Sequence, residues 1–149
     1  METDETNLER LRHLIHNLLE PELYVQIVER LPDALVVINK AAEIVIFNEQ
    51  ATFLFGYHPS EVIGQRLTIL IPDDGRREKH DTVHLPRWFD ELRARPMGLG
   101  LILEGQHKMG HIFPVEINLS PLIAPSGVYG MAVVRRPTTK TGEAKLDAG

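Results

Sequence analysis

The feature that most constrains the fold is a pair of short β-type runs that a tight turn separates. Residues 34–39 read Ala-Leu-Val-Val-Ile-Asn and residues 44–47 read Ile-Val-Ile-Phe, with Lys40, Ala41 and Ala42 between them. Branched apolar residues of this kind favour strands, and a gap this short leaves room only for a turn. The sequence therefore predicts a β-hairpin close to the start of the folded domain.

Short helices are predicted to follow the hairpin directly. Asn48 is a favourable N-cap for the first of them, and Gly56 suits its C-terminal end. Pro59 and Gly64 bracket a second helix of one turn in the same way. The predicted helices cover residues 49–55, 59–63 and 76–83, and a less regular segment that carries Trp88 follows Pro86, which bends or ends the last helix.

Three further β-type runs close the domain, at residues 97–106, 112–122 and 128–135. Turn-forming residues at 107–111 and 125–127 join them as an antiparallel meander. Strands and helices are thus segregated along the chain, which is typical of an α+β domain. We predict one five-stranded antiparallel sheet with short helices on one face.

An amphipathic helix is predicted ahead of this domain. Its apolar residues recur every three or four positions, and Pro21 then interrupts the pattern and begins a second helix over residues 21–30. The stripe allows two interpretations: the helix packs on its own domain, or it pairs with a second copy of the chain. We favour self-association through the stripe, which consists of Leu8, Leu11, Leu14, Ile15, Leu18 and Leu19.

Composition excludes several classes of function. The chain has 149 residues, a net charge of −5 and scattered arginines, so it offers no basic face for nucleic acid. It contains no cysteine, which excludes disulfides, thiolate nucleophiles and covalently attached chromophores or c-type haem. No apolar run approaches the length of a membrane span, and no secretory leader is visible. We therefore expect a cytoplasmic protein that binds neither nucleic acid nor membrane.

The ordered motifs of the domain resemble the PAS family of sensory domains. The resemblance covers roughly residues 31–136, and its pieces occur in the family's order and spacing. Two turns depart from the family pattern, because Ala41-Ala42 and Met109-Gly110 stand where Asp-Gly is usual. The matching segments are residues 33–38, 46–51, 54–57, 61–64, 70–72 and 105–117.

This resemblance implies a PAS fold and a sensory role without catalysis, with a helical segment at 1–30, the domain at 31–136 and a tail or linker at 137–149. It also implies an ion pair between Glu61 and Lys108. Many PAS domains enclose a small molecule between helices and sheet, whereas others enclose none. The residues predicted to line such a pocket, each of which could equally be plain core, are Phe53, Leu70, Leu101, Ile117 and Met131.

His80 is the one candidate cofactor ligand. It lies in a segment that resembles the helix supplying the axial histidine in haem-containing oxygen sensors of the family, and neutral imidazole is a suitable iron ligand. Leu101 occupies the position where those sensors carry an oxygen-stabilising arginine. Packing or hydrogen bonding is the competing role for His80. Flavin is a further candidate cofactor, though not as a cysteinyl photoadduct.

Three functional hypotheses follow. The first is a sensory domain in signal transduction, in which a ligand or partner changes the packing of a homodimer and a downstream protein or output domain responds. The second is a gas or redox sensor that binds b-type haem through His80. The third is a protein-interaction domain without a ligand. No catalytic constellation is visible: Ser60, Ser120 and Ser126 all lack the setting of a nucleophile elbow.

Overall fold

The domain is built on one antiparallel sheet, which a computed structural model describes together with its helices. The described residues are 4–18, 20–80, 84–92 and 103–137. The strands are β1 (Ala34–Asn39), β2 (Ile44–Phe47), β3 (Leu103–Gln106), β4 (Ile112–Ala124) and β5 (Gly127–Arg135), in the order β2-β1-β5-β4-β3. The helices are α1 (Asp4–Leu18), α2 (Pro21–Glu29), α3 (Glu49–Phe55), α4 (Pro59–Val62), α5 (Arg76–Lys79) and α6 (Leu85–Glu91), with a 3-10 turn at Leu67–Leu70. The predicted α+β class and five-stranded sheet are confirmed.

The core lies between the short helices and one face of the sheet. Alternate residues of β1, namely Ala34, Val36 and Ile38, are buried on this inner face. In β5, Gly130 and Ala132 share it, because they pair with Ile38 and Val36 across the ladder. The helices contribute aromatic and aliphatic side chains, among them Phe55, Leu85 and Trp88.

Asn48 joins three elements at the edge of this core. It is fully buried, and its Oδ1 accepts hydrogen bonds from the backbone N–H groups of Leu35 (2.8 Å) and Ala51 (3.0 Å). Its Nδ2 donates to the carbonyls of Val28 (3.0 Å) and Asp33 (3.1 Å). The predicted N-cap of α3 is confirmed, and the same side chain ties the end of α2 to the sheet.

The segment around Pro86 differs from the prediction. In place of a less regular segment, the chain forms α6, and Pro86 lies in the first turn of that helix. A proline is tolerated there because the first N–H groups of a helix have no intrahelical acceptor. The proline is thus a start signal and not a stop signal, and it places Trp88 on an ordered helix.

Some predicted features fall outside the described residues. These are residues 97–102 of the third β-type run, Leu101 among them, and residues 138–149 of the predicted tail. Leu19 and the side chain of Leu18 belong with them. Within the parts of the chain that the structure describes, no helix has the length and apolar character needed to cross a membrane.

Candidate functional site

The inner face of the sheet is in direct contact with Trp88. The indole is only 3% exposed, and it lies over Gly130 of β5 and beside Ile38 of β1. A Cβ atom at Gly130 would lie 3.1 Å from Trp88 Cζ3 and 3.2 Å from Ile38 Cγ1, which is tighter than ordinary packing. Gly130 therefore makes the space that the indole fills, and Phe89 stacks edge-on against it at 5.1 Å between ring centroids.

His80 lies at the C-terminal end of α5 and is half-buried. Its Nδ1 atom is inaccessible to solvent, and its ring stands 6.3 Å from that of His84, edge to face. The two histidines, which are four positions apart in the sequence, are thus neighbours in space. The structure does not describe residues 81–83 between them.

Two arginines anchor α5, the helix that carries His80, to β3. Arg77 donates to the carbonyl of Ile71 (2.8 Å) and to Oε1 of Gln106 (3.1 Å). Arg76 donates to Glu104 (2.8 Å) and to both carboxylate oxygens of Asp74. The Arg76 guanidinium lowers the pKa of Asp74, and the two carboxylates raise the pKa of Arg76. The position of α5 is therefore set by charged hydrogen bonds at the sheet edge.

The predicted pocket residues do not share one place in the structure. Leu70 is buried in the core, and Ile117 is partly buried against it. Met131 lies between Gly130 and Ala132 in β5, so it faces away from the helices. Phe53 is 67% exposed on α3. Of the four candidates that the structure describes, Leu70 and Ile117 therefore belong to the inner side of the sheet.

Phe53 instead borders an open groove of about 270 Å³ at one end of the sheet. The groove runs between α3 and the paired ends of β1 and β5, and its lining includes Phe53 and two arginines. Its lining is Pro32, Asp33, Ala34, Gln50, Phe53, Leu54, Val134, Arg135 and Arg136.

The apolar stripe of α1 is left exposed by the parts of the chain that the structure describes. Leu8, Leu11 and Leu14 are each just over half exposed, and Ile15 is 36% exposed. The same is true of α2, where Leu23 and Ile27, apolar residues on one side of the helix, are 42% and 49% exposed. Both helices therefore present apolar surface outside the core.

The ion pair that the resemblance implied between α4 and the β3–β4 turn is confirmed. Lys108 Nζ contacts Glu61 Oε1, and the other carboxylate oxygen of Glu61 accepts the backbone N–H of His58 at 2.8 Å. These bonds lower the pKa of the Glu61 carboxyl. The pair is exposed, so it positions the turn more than it stabilises the fold.

A planar cofactor such as haem does not fit between α6 and the sheet in this arrangement. The imidazole of His80 has suitable ligand chemistry, but Trp88 occupies the space over Gly130 against the inner face of the sheet. A large ring system could enter there only after the indole had left. Elsewhere in the described ranges, no group of three or more histidine or carboxylate side chains is placed to hold a metal ion.

Gly130 and Trp88 are the site residues that sequence reasoning missed. An isolated glycine inside a strand often marks a place where another group approaches the backbone closely, and Gly130 interrupts the apolar run of β5 in this way. That signal shows that something packs there. It does not show that the partner is an indole 42 residues earlier in the chain.

Comparison with known proteins supports the sensory interpretation. The sequence profile of the PAS fold matches residues 22–136. Sensor protein FixL of Bradyrhizobium diazoefficiens is 30% identical over 109 residues, which are 73% of this chain and 21% of FixL. The oxygen sensor protein DosP of Escherichia coli is 34% identical over 100 residues, which are 67% of this chain and 12% of DosP.

Solved structures agree on the fold. The crystal structure of the PAS domain of a protein from Colwellia psychrerythraea superposes with a TM-score of 0.64 at 22% identity, covering 79% of this chain and 97% of that one. The match thus covers nearly all of that isolated PAS domain. By contrast, this chain spans about a fifth or less of the length of FixL and DosP.

Proposed function

This chain belongs to the PAS family, and from that premise we propose that it works as a homodimeric sensory domain whose N-terminal helices pair between two copies. PAS domains are in general sensory modules of signalling proteins without catalysis of their own. A ligand or partner would shift the population between two packings of the helices on the sheet, because differential binding to two states moves their equilibrium. The proposed setting is the cytoplasm.

The observation that carries this proposal is the exposed stripe of α1. Leu8, Leu11 and Ile15 follow the three-four spacing of a coiled-coil seam, and the predicted Leu18 continues it. An isolated helix of 15 residues is marginal in water, so a helix that the described residues leave exposed gains stability from a partner. A second copy of the same stripe supplies an apolar surface of the right shape.

Asn48 gives this helix pair a connection to the domain. Its side chain bonds the last turn of α2 through Val28 and the start of β1 through Leu35 and Asp33. A shift of α2 would therefore disturb the hydrogen bonds of Asn48, the same side chain that caps α3. This geometry supports coupling between the helical segment and the sheet.

The dimer proposal is tested by the mass of the full chain in solution. We expect light scattering to give twice the chain mass of 16.9 kDa for the wild type and the single-chain mass for the double variant Leu11→Glu/Ile15→Glu. Glutamate is a good helix former, so the substitutions remove the seam and leave helix propensity intact. Circular dichroism checks that the domain remains folded.

His13→Glu is the matched control, because His13 lies on the polar side of the same helix. We expect this variant to remain a dimer. A dimeric Leu11→Glu/Ile15→Glu protein, or a monomeric wild type, would refute pairing through α1. A downstream signalling protein or output domain is the second partner of the proposal, and the conditions that shift the helices would alter its binding.

A second candidate function is a haem-based gas or redox sensor with His80 as axial ligand. The kinship to an oxygen sensor protein favours it, together with the position of His80 on α5. Binding would require Trp88 to leave the inner face of the sheet. A domain that binds partners and no small molecule is the competing alternative.

An absorption spectrum after addition of hemin separates these two alternatives. A haem sensor is expected to develop a sharp Soret band that His80→Ala abolishes and His84→Ala retains. The wild-type protein would develop no sharp Soret band if the domain only binds partners. If the band is lost in His84→Ala and retained in His80→Ala, the axial ligand is His84, and the role of His80 is refuted.

A further inference from the structure

The turn between β3 and β4 carries two histidines in a stack. The rings of His107 and His111 are nearly parallel, with 18° between their planes and 4.4 Å between their centroids. The ring of Phe113 lies 6.0 Å beyond His111, and the guanidinium of Arg136 lies 5.0 Å from the centre of the Phe113 ring. These four side chains form a column, which we call the histidine column.

One end of the column rests on the C-terminal end of α3. The His107 ring lies so close to Gly56 that a Cβ atom there would overlap it, and Gly56 has φ of +80°. The backbone N–H of Lys108 donates to the carbonyl of Phe55 at 2.9 Å. The turn is therefore held on α3 by ring packing and by one backbone hydrogen bond.

The hydrogen bonds of the turn require His107 to be neutral. Its Nδ1 accepts the backbone N–H of Met109 at 3.0 Å, so in this arrangement the ring carries its proton on Nε2. A second proton would have to bind Nδ1, where it would face the Met109 N–H. Protonation and this hydrogen bond exclude each other.

The charges around the column also oppose protonation. Burial, followed by the nearby His111 and Arg136, lowers the pKa of His107 below its ordinary value. Within the described residues, Glu61 of α4 is the carboxylate that the turn contacts, and Lys108 and the His58 N–H already engage it. The His58 ring Nδ1 is likewise occupied, by Ser60. A proton on His107 would thus add a positive charge to a column that already ends in the guanidinium of Arg136.

We propose that the histidine column is a proton-sensitive latch, which holds the β3–β4 turn on the end of α3 while His107 is neutral and releases it on acidification. A proton from solvent binds His107 Nδ1, the bond from Met109 breaks, and the ring leaves Gly56. Because Arg136 directly follows β5, charge repulsion within the column reaches the end of the sheet. This latch acts within one chain and is independent of the dimer and haem proposals.

A pH titration of the full chain by NMR tests the latch. We expect the amide signals of Gly56, Lys108 and Met109 to move together between pH 7.5 and 5. Their common midpoint should equal that of the His107 ring and lie below pH 6.5. His107→Asn is the matched variant, since an asparagine oxygen also accepts an N–H two residues later but does not titrate. In that variant the three signals should stay constant over the same range.

The stack itself is tested by His111→Phe, which keeps an aromatic ring beside His107 and removes the second imidazole. The midpoint for His107 should then rise towards 6.5. Wild-type amides that ignore the His107 titration, His107→Asn amides that still move, or an unchanged midpoint in His111→Phe would each overturn the proposal. The titrations of the wild type and of His111→Phe still decide for or against the latch if His107→Asn fails to fold.

Discussion

Asn48 shows how much one side chain can organise in this fold. Its four hydrogen bonds use two donors and two acceptor positions of a single amide, and all four partners are backbone groups. The side chain is fully buried, so water cannot replace a lost partner. The sequence predicted the cap of α3 from residue type alone. The bonds to Val28 and Asp33 could not be predicted, because they depend on where α2 ends in space.

At the scale of the residue we therefore expect Asn48→Ala to destabilise the domain by about 2–4 kcal/mol, since it removes an N-cap and leaves several buried backbone groups unpaired. Urea unfolding measures the loss. Asn39→Ala is the control, because Asn39 makes similar bonds to Ala41 and Glu43 in a turn that water reaches. It should lose about 1 kcal/mol or less, and equal losses would contradict the special position of Asn48.

At the scale of elements, the domain depends on contacts that the local sequence does not display. The end of α3 and the β3–β4 turn are about 50 residues apart, yet Gly56 and His107 fit against each other. Helix-ending glycines were predictable at 56 and 64, and both have positive φ. Their surroundings differ in a way that the sequence does not show. Within the described residues, a Cβ at Gly64 would meet nothing within 4 Å, whereas one at Gly56 would meet the His107 ring.

This difference gives a matched pair of variants. Gly64→Ala is expected to lose about 1–2 kcal/mol, the cost of placing alanine in the left-handed region. Gly56→Ala should lose clearly more, because the added methyl group also displaces the β3–β4 turn. Thermal or urea unfolding measures both. In a His107→Ala background the excess at Gly56 should disappear, and an excess that persists would show that the ring contact is not its cause.

The same scale explains which predictions about the fold were confirmed. Hairpin, meander and capped helices follow from periodicity and from turn residues, which act locally. The role of Pro86 was misjudged because one proline can either end a helix or begin the next. Whether an apolar strand residue faces the core could not be predicted from residue type, as the outward position of Met131 illustrates.

At the scale of the whole molecule, three pKa shifts act in the same direction. The pKa values of His107, Glu61 and Asp74 all lie below their ordinary values of 6.5, 4.5 and 3.8. A group whose pKa is lower when folded contributes stability above its unfolded pKa and loses it as the pH falls through the folded pKa. Acid should therefore weaken the fold in two stages. The first, below pH 6.5, comes from His107, and the second, below pH 4.5, comes from Glu61 and Asp74.

Unfolding temperatures of the full chain between pH 8 and 3 test this expectation. The melting temperature should be highest near pH 7 to 8 and fall in both windows. Replacing Glu61 by glutamine should reduce the lower stage, leaving the part due to Asp74, and should not change the upper stage, because glutamine cannot be protonated in this range. A melting temperature that rises as the pH drops from 7 to 5 would contradict the sign of the His107 shift.

The contact between Trp88 and Gly130 has a further, optical consequence. The chain contains a single tryptophan, and that indole is buried against the inner face of the sheet. Its fluorescence therefore reports on the interior of the domain alone, without any attached label. A molecule that enters over Gly130 must move this fluorophore into water or quench it, so the protein carries its own indicator of whether its interior is open.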